Sequence, residues 1–263
     1  MISILTPTFN RDYTLERLFD SLNQQTCENF EWVVVDDGST DGTKKLIQQL
    51  SEEAKFKIKY IYQNNNGKPS AINTGLKISS GSFIFIVDSD DIITNNAVEK
   101  IYQDLSYIYD ENIKFSGLCY RKGYLNGKML GPDFNDGENE FELMTATELK
   151  NKLNVDLAYC FKKELLEKFN FPIFKNEKFV PELYIWNKIT DIEKVVLKNE
   201  ILYLCEYLPD GLTANFNIQL KRNPNGFLLY YKDQIFRENL FINKVKMALR
   251  VLQCLIYSIV FKK

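Results

Sequence analysis

Over the first ninety residues, short apolar runs alternate with segments whose apolar residues recur at helical spacing. That alternation constrains the fold more than any other feature of the chain. Ile2 to Leu5 is the first run, and Leu15, Leu18, Phe19 and Leu22 then fall at i, i+3, i+4 and i+7, one face of a helix. Trp32 to Val35 is a second run, followed by Leu46, Ile47 and Leu50 behind the turn cluster Ser39-Thr40-Asp41-Gly42. Ile58 to Tyr62 is a third, with a helix expected over Ala71 to Ile78. Phe83 to Val87 is apolar throughout, as a strand buried on both faces would be. This β-α-β-α-β-α-β order predicts a mostly parallel sheet with helices on both faces.

The later chain is less regular. Helices are expected over Ala97 to Tyr109, Ala146 to Leu153 and Lys163 to Phe169. Asn126-Gly127 between apolar runs predicts a hairpin turn. Pro181 predicts a helix with proline in its first turn. Phe241 to Phe261 is apolar with Lys244, Lys246 and Arg250 inside it and Lys262-Lys263 behind it. Its longest mainly apolar stretch, after Gln253, is about eight residues with Ser258 inside it, far short of the ~20 that a spanning helix needs. Two readings stay open: a basic amphipathic helix lying on a membrane, or a helix packed on its own domain or on another subunit.

Composition removes whole classes of chemistry. The chain has no histidine, which excludes a histidine base, a Ser-His-Asp triad, a His-ligated zinc and a histidine pH switch. A net charge of -2 argues against a protein that reads nucleic-acid phosphates. The five cysteines, Cys27, Cys119, Cys160, Cys205 and Cys254, lack C-x-x-C spacing and are expected as reduced, mostly buried thiols. Met1 to Leu5 has no basic stretch before it and does not read as a signal peptide, so a cytoplasmic location is expected.

In an open parallel sheet, ligands bind beyond the carboxyl ends of the strands. The loops there are Thr6-Pro7-Thr8-Phe9-Asn10-Arg11-Asp12, Asp36-Asp37-Gly38-Ser39-Thr40-Asp41, Asn64-Asn65-Asn66-Gly67-Lys68-Pro69 and Asp88-Ser89-Asp90-Asp91. Each alone is ordinary turn chemistry, but four on one edge predict a site. The acidic loop carries the most chemistry, because carboxylates this close repel unless a cation joins them. Hard oxygen donors with no His or Cys beside them suit Mg²⁺ or Mn²⁺ shared with a substrate's phosphates. Two familiar nucleotide loops fail: there is no G-x-G-x-x-G after the first strand, and Gly67-Lys68 is followed by Pro69 where a P-loop has Ser or Thr.

At these residues the sequence resembles the family 2 glycosyltransferases with the GT-A fold. The matching segments are Leu5-Thr6-Pro7-Thr8-Phe9-Asn10, Val35-Asp36-Asp37-Gly38-Ser39-Thr40-Asp41-Gly42, Gly67-Lys68-Pro69 with Asn73-Thr74-Gly75-Leu76, and Asp88-Ser89-Asp90-Asp91. Phe179-Val180-Pro181-Glu182 with Trp186, and Asp210-Gly211-Leu212-Thr213, match more loosely. The resemblance implies an α/β chain with a Rossmann-like, mostly parallel nucleotide-sugar half over 1–100. An acceptor-binding half carrying the catalytic base follows over 101–220, and a C-terminal helical tail over 221–263.

It also implies a UDP-sugar donor, a divalent cation and a hydroxyl acceptor on a glycan, a lipid-linked saccharide or a glycoprotein. By motif matching, Phe9 stacks on the base, Asp37 accepts from its ring N–H, and Pro7 and Thr8 give backbone contacts. Asp88 lies at the ribose side, Ser89 is among the nucleotide-binding residues, Lys68 and Asn73 lie close to the nucleotide, and Asp90 is the metal ligand, with Asp91 beside it. The family's base matches Glu182, four residues before Trp186, where an acidic pair has become Pro181-Glu182. Asp191 and Asp210 stand next in line as bases, and Lys221 and Arg222 as cover for the diphosphate. The expected location is cytoplasmic and peripheral at the inner face of the membrane, with membrane contact through 241–263 or self-association through the tail. The rival readings are a haloacid-dehalogenase-like phosphatase, disfavoured by Ile92 and by the loop's place after the fourth strand, and a dead sugar-nucleotide binder, disfavoured by intact Asp90 and Glu182.

Overall fold

Each of the first four apolar runs becomes a strand, with a helix between each pair. The computed structural model describes residues 1–132, 141–206 and 215–260. In chain order the elements begin β1 (Ile2–Thr8), α1 (Asp12–Asn23), β2 (Phe30–Asp36), α2 (Thr43–Glu53), β3 (Lys57–Tyr62), α3 (Lys68–Ile78) and β4 (Phe83–Ile86). They continue with β5 (Ile92–Ile93), α4 (Ala97–Asp110), β6 (Gly117–Tyr124), β7 (Glu142–Met144), α5 (Ala146–Leu153), β8 (Leu157–Lys162) and α6 (Lys163–Leu166). The last are α7 (Leu183–Ile192), β9 (Val195–Cys205), α8 (Phe216–Arg222), α9 (Pro224–Arg237) and α10 (Phe241–Val260).

One mixed sheet carries these strands in the order β3-β2-β1-β4-β8-β6-β9-β5, with β7 paired to β9. From β3 to β4 all neighbours are parallel. Antiparallel pairing enters at β4–β8, where Phe83 faces Lys162, and one sheet thereby runs through both halves of the chain.

Period-2 alternation sorts the strand residues onto two cores. Ile2, Ile4, Trp32, Val34, Phe83 and Phe85 point to the face covered by α1, α2 and α4. Leu5, Val33, Val35 and Ile84 point to the other, covered by α3, α5, α6 and α7. Both faces are therefore dry, and polar chemistry is left to the strand ends. Four of the five cysteines are buried and all five are free thiols.

Local signals explain most boundaries. Thr145 and Glu148 form a reciprocal capping box at the start of α5. The Asn126-Gly127 turn forms, with Gly127 at φ +80° and Tyr124 N–H donating to the Lys128 carbonyl at 2.8 Å. Several expectations shift: β1 runs on through Thr8 and β2 through Asp36, which the sequence placed in loops, and α3 begins at Lys68, ahead of Ala71. α6 ends at Leu166, not Phe169, because Lys168 and Phe169 tighten to i-3 bonds ahead of Pro172. Pro181 stands outside α7, immediately before its N-cap Glu182, and its carbonyl accepts from Tyr184 N–H at 3.0 Å.

The helices α8, α9 and α10 build a third, smaller core around Leu220, Phe227, Tyr231 and Cys254. Among the described residues no helix is long and apolar enough to cross a membrane.

Candidate active site

The carboxyl ends of β1, β2, β3 and β4 open onto one cleft of about 2110 Å³. Pro7, Thr8, Phe9, Asp37, Lys68, Asp88, Ser89, Asp90 and Glu182, all expected in the site, line it. Backbone–side-chain bonds lace the loops together. Asn10 takes a left-handed conformation (φ +52°) that asparagine tolerates, and its Oδ1 accepts from Thr40 N–H at 2.8 Å. Asp12 Oδ2 accepts from Gly42 N–H at 2.9 Å. Asp37 N–H donates to the Thr8 carbonyl at 2.8 Å. Its carboxylate accepts from Gln63 Nε2 at 2.7 Å and from Asn66 and Gly67 N–H at 2.9 and 2.7 Å. Three of its about four acceptor positions are thus spent holding the Gly67 turn, which leaves one for a ligand.

The acidic loop after β4 splits into three different carboxylates. Asp88 Oδ1 lies 2.5 Å from Lys68 Nζ. Burial would raise its pKa, but the Lys68 and Lys122 charges outweigh that and hold it low. Asp91 is buried, accepting from Tyr203 O–H at 2.7 Å and from Glu206 N–H at 3.2 Å. Burial, and then the Asp88 charge, push its pKa up to about 7. Asp90 is raised by burial and by Asp88. Its backbone carbonyl accepts from Arg17 Nη2 at 2.6 Å, which fixes the loop, and Asp90 lines the cleft.

Glu182 reaches the same amine from the other half of the chain. Its Oε1 lies 2.7 Å from Lys68 Nζ, so one lysine bridges Asp88 and Glu182. Burial would lower the Lys68 pKa, but the two acids raise it well above the ordinary value and keep it charged. Lys68 is the first residue of α3, with Pro69 beside it in the first turn and Gly67 at the N-cap.

The loop carrying Glu182 is clamped by long-range contacts that the sequence did not foretell. Glu177 accepts from Asn225 and Gly226 N–H at 3.0 Å each, which caps α9 from outside. Lys178 N–H donates to Asn223 Oδ1 at 2.7 Å. Gly67, at φ +90°, lies so close to the Lys178 carbonyl that an added Cβ would sit 2.0 Å from its oxygen. None of these partners is near in sequence, and no periodicity marks them. Tyr203, which donates to Asp91 and accepts from Asp88 N–H at 3.0 Å, was missed for the same reason.

Asn73 is not brought to the cleft. Its amide is committed to both backbone groups of Phe171, at 2.9 Å each, and ties α3 to the chain after α6. Asp191 pairs with Arg237 at 2.6 Å, away from the cleft lining. Lys221 and Arg222 line the cleft from α8. Of the aromatics, Tyr159 and Trp186 reach its wall, whereas Phe161 is fully buried between them, with centroids at 5.3 and 5.0 Å. Asp210-Gly211-Leu212-Thr213 lies outside the described residues.

Among the described residues no three acidic or soft side chains are grouped as a metal cage requires. Lys68 engages Asp88 and Tyr203 engages Asp91, so Asp90 supplies the remaining carboxylate. Such a donor set fits a hard divalent ion that takes its other ligands from phosphate oxygens and water.

A parallel sheet edge, an acidic strand-end loop and a helix-start acid facing one cleft define the GT-A class of glycosyltransferase folds. S. aureus TarS, solved with UDP-GlcNAc, is similar over 99% of this chain and 73% of that chain, with a TM-score of 0.67 and 18% identity. Residues 3–128 match the family model described as Glycosyl transferase family 2. The glycosyltransferase GlyA of Streptococcus pneumoniae is 31% identical over 77% of this chain and 30% of its own length. A Campylobacter jejuni GalNAc(5)-diNAcBac-PP-undecaprenol beta-1,3-glucosyltransferase is 31% identical over 67% of this chain and 57% of its own. The chain therefore spans about a third to a little over half of these two relatives. It belongs to the family 2 glycosyltransferases.

Proposed function

We propose that the chain transfers a hexose or N-acetylhexosamine from a UDP-sugar to a hydroxyl of a glycan, lipid-linked or protein-linked acceptor. The transfer inverts the anomeric centre, with Mn²⁺ or Mg²⁺ assistance and Glu182 as general base. The observation that carries this reading is the Asp88–Lys68–Glu182 bridge, which sets the acidic donor loop and the helix-start acid within reach of one amine in one cleft. The donor class is supported by TarS, solved with UDP-GlcNAc, and the acceptor class by the named activity of the Campylobacter relative.

In this reading Phe9, 45% exposed at the tip of β1, stacks on the uracil. The last acceptor position of Asp37 takes a ring N–H, and Pro7 and Thr8 contribute backbone contacts. Asp88 and Ser89 flank the ribose. Asp90 holds the divalent ion, which when bound offsets the negative charge of the departing diphosphate. Lys68 adds a fixed positive charge beside it. Glu182 accepts the acceptor's hydroxyl proton on the oxygen that Lys68 does not engage, as the acceptor oxygen attacks the anomeric carbon opposite the leaving group. One displacement with one base gives inversion, so an α-linked donor yields a β-linkage. Tyr159, half-buried in the cleft wall, offers a flat surface for an acceptor sugar. Free thiols and a nucleotide-sugar donor fit the cytoplasm.

Uridine diphosphate release from a panel of UDP-sugars, with Mn²⁺ and after chelation, tests the proposal. Release with at least one donor, lost in Asp90→Ala, is expected. No release with any donor, together with metal-dependent phosphate release from a phosphoester, would replace it with the phosphatase reading.

A further inference from the structure

The helix α10 packs one side on α8 and α9, through Met247, Val251, Cys254 and Tyr257. Its other side is apolar and bare. Ile242, Val245, Leu249, Leu252, Ile256 and Ile259 recur at alternating steps of three and four residues, and each is 36% to 76% exposed. The stripe runs along a helix of twenty residues, about 30 Å long. At its start, Phe236 at the end of α9, Leu240 in the connection and Phe241 at the head of α10 are 86%, 64% and 80% exposed. Contiguous apolar surface of this extent marks an interaction site.

Charge identifies the partner. From Asn239 to Lys263 the sequence holds three lysines and arginines within α10, at 244, 246 and 250, and two lysines behind it, with no Asp or Glu. This one-signed segment lies in a chain whose net charge is -2. Arg250 is turned onto the protein, over the Phe216 ring at 5.6 Å, whereas Lys246 is exposed and Lys244 half-buried beside the stripe. The acids nearest the bare turn are neutralised internally. Glu238 is 2% exposed and pairs with Lys150 at 2.9 Å, and Asp233 and Asp191 both pair with Arg237. A second copy of the same helix would bring a second set of cations and no anions. An anionic lipid surface offers the complementary sign and an apolar layer for the stripe.

We infer that α10, with the Phe236–Phe241 turn, docks the protein onto an anionic bilayer, lying in the interface and not crossing it. Met247, Arg250, Tyr257 and Ile259 also line the catalytic cleft, so this docking holds the cleft mouth beside the headgroups. An acceptor anchored in the same bilayer then reaches Glu182 by lateral diffusion.

Flotation of the full chain with vesicles of phosphatidylglycerol and phosphatidylcholine, against phosphatidylcholine alone, tests this. Binding to the anionic vesicles, weakened by salt, is expected. The variants Lys244→Glu with Lys246→Glu, and Leu249→Glu with Leu252→Glu, should each lower it by about tenfold or more. Uridine diphosphate release without vesicles should stay unchanged, which separates this inference from the proposed activity. The lysine pair carries the test should the leucine pair impair folding, as read by thermal melting. Absence of flotation with anionic vesicles overturns the inference. So does equal binding to neutral ones, or light scattering that shows a dimer dispersed by the leucine variant while vesicle binding is nil; that last result would assign the stripe to a second copy.

Discussion

Lys68 and Glu182 are joined across 114 positions of sequence: the ammonium of the third helix's first turn lies 2.7 Å from Oε1 of the acid at the N-cap position of α7. The same ammonium neutralises Asp88. The proposed base and the donor loop therefore share one cation, and removing either acid changes the field at the other.

Glu182→Gln should keep donor binding and lower turnover by roughly 10²–10⁴-fold, the usual range for loss of a general base. Steady-state kinetics with calorimetric donor binding check this. Unchanged turnover would move the base to another residue.

Lys68→Met strands two largely buried carboxylates. An uncompensated buried charge is costly, and after allowance for partial solvent access the variant should lose about 1–3 kcal/mol of stability. Urea unfolding measures it. A variant as stable as the parent would mean that the bridge contributes nothing to the fold.

Gly67→Ala meets the Lys178 carbonyl and a left-handed backbone at once. The chain must move there, and the Glu182 loop moves with it. Thermal melting should fall, and hydrogen exchange should rise over residues 174–182. Exchange unchanged in that segment would dissociate the glycine turn from the base loop.

Manganese should bind weakly to the protein alone and tightly together with uridine diphosphate, because Asp90 is the carboxylate left to it. Electron paramagnetic resonance titration of Mn²⁺ with and without the nucleotide tests this. Tight binding to the protein alone would require a second carboxylate to leave its partner.

Glu31, fully buried at the opposite end of the sheet, gives a pH prediction. Burial would raise its pKa, but hydrogen bonds from Lys59, Ser80 and Ser3 outweigh that and lower it. An acid depressed in the folded state stabilises above its unfolded pKa and loses that contribution as pH falls through the folded value. Glu31→Gln should therefore cost about 1–3 kcal/mol near pH 7, where charged hydrogen bonds are lost, and much less near pH 3. Chemical unfolding at the two values compares them; an equal loss at both would deny the charge any part.

Local information settled much of this protein. The alternation of residues 2–87 determined the parallel half and its two dry faces, because period 2 and period 3.6 are properties of neighbouring residues. The strand-end loops were legible as well, since an open parallel sheet leaves polar groups only at its edges. Within those loops the sequence could not assign partners. It gave three similar aspartates at 88, 90 and 91, and only the approach of Lys68 and Tyr203 made one paired, one available and one buried with a raised pKa. Asn73 matched a nucleotide motif, yet Phe171, 98 positions away, takes its amide. Glu177 and Gly67 carried no signal for clamping the base loop. Such roles depend on which groups long-range packing sets opposite one another, and a carboxylate or amide shows its function only once its hydrogen-bond partner is in place.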